Sequence, residues 1–368
     1  MKKYFVLIIG IALFACSKPS GFKIDVNLEG ADGQIVLEER TEGKFVGIDT
    51  ADVVDGVAVL EGSVEYPTMY YISILGQRAK AMIFVENAKM TVTGKADSIN
   101  FVKIEGSATQ DEYSALNDQM KAIQDEYMNL YKESVEARQA GDTAKASELM
   151  AKVEEIYESA SERMNTLQED FVKNNPASYV SPVILNSVQY NKSAEQLDSM
   201  INALDPKVQQ VPMIVDMKAQ IEKMKRVSIG QIAPDFTQND PDGNPVKFSD
   251  IYSQNELTLL DFWASWCGPC RQENPNVVAV YNEFKDKGFT VFGVSLDRDK
   301  DAWLKGIADD GLTWAHVSDL AYWGNAAAQE YAIRSIPSSL LVDKTGKIVE
   351  KNKRGEELKA FVEGYFAK

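Results

Sequence analysis

Cys267 and Cys270 are the residues of this chain best suited to covalent chemistry, and only Gly268 and Pro269 separate them. The apolar run that leads into them, Leu259-Leu260-Asp261-Phe262-Trp263-Ala264, reads as a buried strand, and Arg271 to Lys287 keeps helical spacing. Cys267 is therefore expected where a strand hands over to a helix N-terminus. Unpaired backbone N–H groups and the helix dipole stabilise a thiolate there. The pattern is that of a redox site. A structural zinc site needs four ligands, and outside this pair the chain holds one cysteine, Cys16, and one histidine, His316, so no metal is expected. A purely structural disulfide is disfavoured too, because so short a loop constrains the unfolded chain little.

The elements that must position this pair sit in a chain of 368 residues with 45% hydrophobic composition, enough for more than one core. Lys2 and Lys3, the apolar stretch Tyr4 to Phe14 and then Ala15-Cys16 read as a signal peptide, residues 1–15, too short an apolar run to span a bilayer comfortably. Leu13-Phe14-Ala15-Cys16 resembles a bacterial lipobox, although Phe14 is larger than the residue usual there, which makes Cys16 the expected lipidation site and 16–21 a tether. Short alternating runs recur over 22–107, separated by turn signals such as Asp55-Gly56, and predict an all-β domain, a sandwich or a small barrel, with the sandwich preferred. From about Thr109 the period becomes helical: Tyr113, Leu116, Met120, Ile123, Tyr127 and Leu130 form one stripe. Leu149, Val153, Ile156, Ala160, Met164, Leu167 and Phe171 form another, with Gly141-Asp142 between them. A helical region is expected over 108–226, beginning with two long antiparallel helices. A third domain, 227–368, alternates strands and helices and reads as an α/β sandwich.

Charge excludes some functions. The formal net charge of −16 argues against nucleic acid and against a basic lipid-binding surface. Fifteen acidic residues against six basic ones between Asp111 and Asp170 fit the solvated face of amphipathic helices better than an acidic docking surface. Met213, Met217 and Met224 fit a helix core stripe better than copper ligands.

The segment Asp261 to Cys270 closely resembles the active-site segment of thioredoxins. Arg271-Gln272-Glu273-Asn274-Pro275-Asn276, Gly230-Gln231-Ile232-Ala233-Pro234-Asp235-Phe236 and Ser335-Ile336-Pro337-Ser338 resemble the exported TlpA/ResA branch of that family. The interval from Asp297 to Pro337 leaves room for the inserted helix of that branch. The resemblance covers about Val227 to Lys368; the β domain and helices before it resemble the N-terminal regions often fused to such proteins in arrangement only.

The resemblance implies a thiol:disulfide oxidoreductase of reducing type that needs no cofactor. Cys267 would attack a client disulfide and Cys270 would resolve the mixed disulfide. Asp261, in an otherwise apolar strand where its pKa should rise, matches the buried acid of thioredoxins. Glu273 matches the acid of the TlpA/ResA branch, and which of the two serves as base is left open. Trp266, Gly268, Pro269 and the cis-proline loop at Ile336-Pro337 would meet the client, the loop by strand-like pairing with a peptide. His316 has no expected role. Implied partners are disulfide-containing clients, apocytochrome cysteines among them, a membrane dithiol donor, and a membrane reached through the lipid anchor. The implied location is a periplasm-facing envelope site, in either membrane. Two other readings compete. One is a thiol peroxidase, because Ala233-Pro234-Asp235-Phe236 is shared with peroxiredoxins, although position 264 is Ala where a Thr-x-x-Cys site needs Thr. The other is an anchored partner-binding protein with an accessory redox domain.

Overall fold

The computed structural model describes residues 20–41 and 43–367. The expected signal peptide, Cys16 and the first part of the tether lie outside the described residues. The chain divides into two compact units, the first ending at Ile184 and the second running from Leu185 to Lys368.

The first unit opens with eight strands: β1 (Phe22–Glu29), β2 (Gln34–Thr41), β3 (Lys44–Asp52), β4 (Val57–Gly62), β5 (Thr68–Ile74), β6 (Lys80–Val85), β7 (Lys89–Lys95) and β8 (Lys103–Glu105). They form two four-stranded sheets, ordered β4-β1-β7-β8 and β3-β2-β5-β6. Alternate residues of β1, Phe22, Ile24, Val26 and Leu28, are buried and join Ile35, Ile72, Ile83 and Val92 in one core shared by both sheets. This is the expected sandwich. Strand β3 had no signal in the sequence because nearly all of its positions face solvent, so no burial alternation marks it. Two 32-residue helices follow, α1 (Ala108–Gln139) and α2 (Thr143–Asn174). Ser107 caps the first through the Gln110 N–H, and Gly141, at φ 83°, turns the chain between them. Leu116 on α1 and Leu149, Val153 and Ala160 on α2 are buried, while Tyr127 and Tyr157 meet edge to face with ring centroids 5.3 Å apart.

The division falls inside α3 (Ser181–Val188), so α4 (Ala194–Asn202) and α5 (Pro212–Arg226) belong to the second unit. The sequence placed them with the long helices and opened the last domain at Val227. Long-range side-chain contacts explain the difference: the Arg334 guanidinium donates to the Gln189 side chain, and Arg226 lies 3.7 Å from Glu330.

The rest of the second unit consists of β9 (Thr237–Asn239), β10 (Pro245–Lys247), α6 (Phe248–Tyr252), β11 (Leu257–Trp263), α7 (Gly268–Phe284), β12 (Phe289–Ser295), α8 (Lys300–Asp310), β13 (Ala315–Val317), α9 (Ala326–Glu330), β14 (Ser338–Asp343), β15 (Ile348–Lys351) and α10 (Gly355–Phe366). The five-stranded sheet has the order β13-β12-β11-β14-β15. Strand β11 is parallel to β12 and antiparallel to β14. Every residue of β11 is buried, as a central strand covered on both faces requires. Helices α7 and α10 pack against each other. Between β12 and β14 the chain makes α8, β13 and α9, the insertion for which the sequence left room.

Candidate active site

Strand β11 ends at Trp263, and four residues later Cys267 is the N-cap of α7. Its Sγ accepts the Cys270 backbone N–H at 3.2 Å, and its carbonyl accepts the Arg271 N–H at 3.0 Å. Pro269 sits in the first turn, where its missing N–H costs nothing. Gly268 has open space where a side chain would begin. Cys267 and Cys270 form a disulfide, with Cα atoms 5.3 Å apart. Cys267 is 5% exposed and Cys270 1%, so the sulfur at the helix start is the one nearer solvent.

Two carboxylates that the sequence left unassigned fix this turn. Asp297, buried just after β12, accepts the Ser265 N–H at 3.0 Å and the Ser265 and Ser295 hydroxyls at 2.6 and 2.7 Å. Asp310, at the end of α8, accepts two donors of the Arg271 guanidinium and the Asn274 amide, while Arg271 also donates to the Ser265 carbonyl at 3.2 Å. The loop before the cysteines is thus held to β12, and the first turns of α7 to α8. Ser265 stands inside the cysteine motif, but its partner is 32 residues away, and no local pattern announces such a pairing.

Asp261 lies in β11 opposite Gly293 and Ser339. Burial pushes its carboxyl up to about 7; the negative charge of Glu273 adds to the rise and Arg354 opposes it. Glu273 is half-buried, and its carboxylate accepts the Gly355 N–H at 2.7 Å and the Asn276 amide at 3.1 Å. It therefore ties α7 to the first N–H of α10, where a negative charge complements the helix dipole. Arg354, the residue before that helix, donates to the Pro337 carbonyl. The two acids proposed from sequence are thus electrostatic neighbours with different duties: one is desolvated and titrates near neutrality, the other is engaged with backbone.

The Ile336–Pro337 bond is cis. Trp266, 46% exposed, stands within 5.1 Å of the Tyr322 ring and 6.3 Å of Trp323, and the Arg298 guanidinium lies 4.0 Å over Tyr322. Tyr322 and Trp323 come from the insertion, and sequence reasoning did not connect them with the site. Trp263 is buried instead, packed edge-on against His316 at 5.6 Å. Burial drives His316 down to about 3; neither ring nitrogen makes a well-formed hydrogen bond, and only the Leu312 backbone lies close enough to oppose the shift. Among the described residues no three His, Cys, Asp or Glu side chains converge as a metal site would require. The arrangement holds a dithiol–disulfide couple, with a buried carboxyl of raised pKa in the strand that leads into it.

The model of the AhpC/TSA family matches residues 229–351, and that of a domain of unknown function (DUF4369) matches residues 22–113. The thiol-disulfide oxidoreductase ResA of Bacillus anthracis is 31% identical over 144 residues, which are 39% of this chain and 80% of the relative. ResA of Bacillus subtilis (strain 168) is 27% identical over 124 residues, 34% of this chain and 66% of the relative. Among solved structures, the thioredoxin domain of a thiol-disulfide oxidoreductase from Bacteroides vulgatus is 38% identical, covers 38% of this chain and 99% of that chain, and superposes with a TM-score of 0.36.

Proposed function

The chain belongs to the TlpA/ResA-like thiol-disulfide oxidoreductases, and we propose that it acts in the cell envelope as a reductase of protein disulfides. The observation that carries this reading is the Cys267–Cys270 disulfide at the start of α7, at the end of a strand whose buried Asp261 titrates at about 7. In the reduced protein the Cys267 thiolate, favoured at the helix N-terminus, attacks one sulfur of a client disulfide. The client S–S bond breaks, a mixed disulfide forms, and the departing client thiolate takes up a proton. Asp261 accepts the Cys270 proton, Cys270 attacks the Cys267 sulfur, the mixed disulfide breaks, and the second client sulfur leaves as a thiolate that takes up a proton. Two electrons pass to the client and the enzyme ends as the disulfide. Ile336, before the cis-proline, pairs with the client backbone, and the exposed Trp266 offers it an apolar surface.

On this reading residues 1–15 direct export and Cys16 carries a lipid anchor, which the sequence pattern alone supports. An oxidising envelope does not keep an exposed dithiol reduced, so the cycle needs a donor, and a membrane dithiol transporter fits that place. Apocytochrome cysteines are among the clients the family resemblance suggests. The match to the AhpC/TSA family does not favour a peroxidase, since position 264 is Ala where a Thr-x-x-Cys site needs Thr. Insulin reduction with dithiothreitol as donor tests the reading: the full chain should accelerate it and Cys267→Ser should not. A Cys270→Ser chain should trap clients as mixed disulfides. Peroxide consumption far above that of a free thiol, with no insulin reduction, overturns the proposal.

A further inference from the structure

The residues on either side of the cis peptide open onto a second feature that disulfide exchange does not use. A cavity of about 490 Å³ is lined by Ser335 and Ser338, which flank Ile336-Pro337, by the loop before α4, and by the end of β15. Its size lies within the range of roughly 300–1,000 Å³ typical of clefts that take small ligands or side-chain groups. Three cations line it, Lys192, Arg334 and Lys351, and one acid, Glu195. That balance inverts the composition of the chain, which has 55 acidic residues against 39 basic ones.

The charges are not equally engaged. Arg334 is half-buried and committed: it donates to the Gln189 side chain and to the Gln189 carbonyl at 3.2 Å, and lies 5.5 Å from the Tyr190 ring. Glu195 is turned to its own helix start, where its backbone N–H and the Ser193 hydroxyl hold its carboxyl low, with smaller contributions from the charges of Lys225 and Lys351. Lys351 is different. It is half-buried, and burial pulls its ammonium below the usual lysine range against the opposing charge of Glu195; among the described residues no carboxylate comes within 4 Å of it. A desolvated ammonium in a cavity with hydroxyls and a second cation gains most from an incoming anion.

We propose that this cavity is a client-recognition site, in which Lys351 binds the carboxylate of an Asp or Glu side chain a few residues from the client cysteine. The inference rests on the disulfide reductase reading, because it is the client strand paired with Ile336 that would carry its neighbouring side chain past Ser335 or Ser338 into the cavity. Recognition would then have two parts, backbone pairing that ignores sequence and one charged contact that reads it.

Binding of redox-inert peptides to the full chain in its disulfide form tests this without any turnover. The probes are short fluorescein-labelled peptides with Ser in place of the cysteine and either Glu or Gln at each neighbouring position in turn, followed by fluorescence anisotropy. The Glu peptide of the best register should bind about tenfold tighter than its Gln counterpart, the size of one buried charge-assisted hydrogen bond. That preference should weaken in high salt, vanish in Lys351→Met and return in Lys351→Arg. Equal affinities for Glu and Gln peptides at every position overturn the proposal, and this comparison uses the unsubstituted chain, so it stands even where a variant folds poorly. Displacement of the Glu peptide by an equal concentration of oxidised glutathione overturns the assignment to a polypeptide side chain. A chain that prefers the acidic peptide but does not reduce insulin defeats the reductase reading instead, so the two failures are distinguishable.

Discussion

The two units of the chain bury different kinds of residue. Among the described residues of the first, the buried polar groups are neutral: Ser73, Ser107, Thr109, Gln110, Ser134, Ser178 and Ser181. The second buries Asp261, Asp297 and His316 together with both cysteines of the disulfide. An ionisable group withdrawn from water costs several kcal/mol unless it is paired, hydrogen-bonded or neutralised. Asp297 meets that cost with three hydrogen-bond donors, whereas Asp261 and His316 meet it by titrating abnormally. A core optimised only for stability looks like the first unit. Of the departures in the second, Asp261 lies in the strand that leads to the cysteines and Asp297 holds the loop before them, whereas His316 packs against Trp263 and Trp314.

The largest effect belongs to Cys267→Ser, which should abolish insulin reduction; residual turnover above the uncatalysed rate would place the chemistry elsewhere. Next comes acid sensitivity of the second unit. His316 has a folded pKa of about 3 against 6.5 in the unfolded chain, so the stability it permits is whole above the unfolded value and is lost as pH falls toward the folded one. The full loss is about 5 kcal/mol, and a neutral replacement such as His316→Gln should flatten that limb of a urea stability-versus-pH curve.

Asp261 works on the opposite limb. Its folded pKa of about 7 exceeds the unfolded 3.8, so stability is complete below the lower value and declines as pH rises through the higher one. Asp261→Asn should therefore stabilise the protein by about 4 kcal/mol in mildly alkaline buffer, while slowing turnover about 100-fold and removing an inflection near neutrality from its pH profile. If the variant is stabilised but turns over normally, Asp261 is not the base. In the first unit, Ile83→Ala should cost about 3 kcal/mol, with the same deficit in acid and neutral urea melts, since no fully buried carboxyl, imidazole or ammonium group stands among the described residues of that unit. The smallest effect is expected for Glu273→Gln. An amide oxygen can still accept the Gly355 N–H, so the loss of charge at the α10 N-terminus should cost about 0.3–1 kcal/mol by thermal unfolding, and the Asp261 carboxyl, freed of a negative neighbour, should titrate lower.

What could be read from the sequence was what short-range pattern encodes. The strand, the two cysteines and the helix after them are contiguous, and the burial of Asp261 follows from its apolar neighbours. The stripes of the long helices likewise repeat within a single segment. The features that escaped depend on partners far along the chain: Asp297 for Ser265, Asp310 for Arg271, Gly355 for Glu273, and Gln189 for Arg334. Helices α4 and α5 have ordinary amphipathic periodicity, which says that they pack but not against which unit. Tyr322 and Trp323 carried no signal as neighbours of Trp266, because the insertion that brings them there has to fold first.

Gly268 is not required by the fold. Its backbone φ is not positive, and nothing lies within 4 Å of the position a Cβ would take, so neither conformation nor space demands glycine there. A side chain at that point would project beside the helix N-terminus, next to the sulfur that begins exchange. A charged side chain there would act on the Cys267 thiolate at close range and shift its acidity, without repacking the core that holds the pair in place.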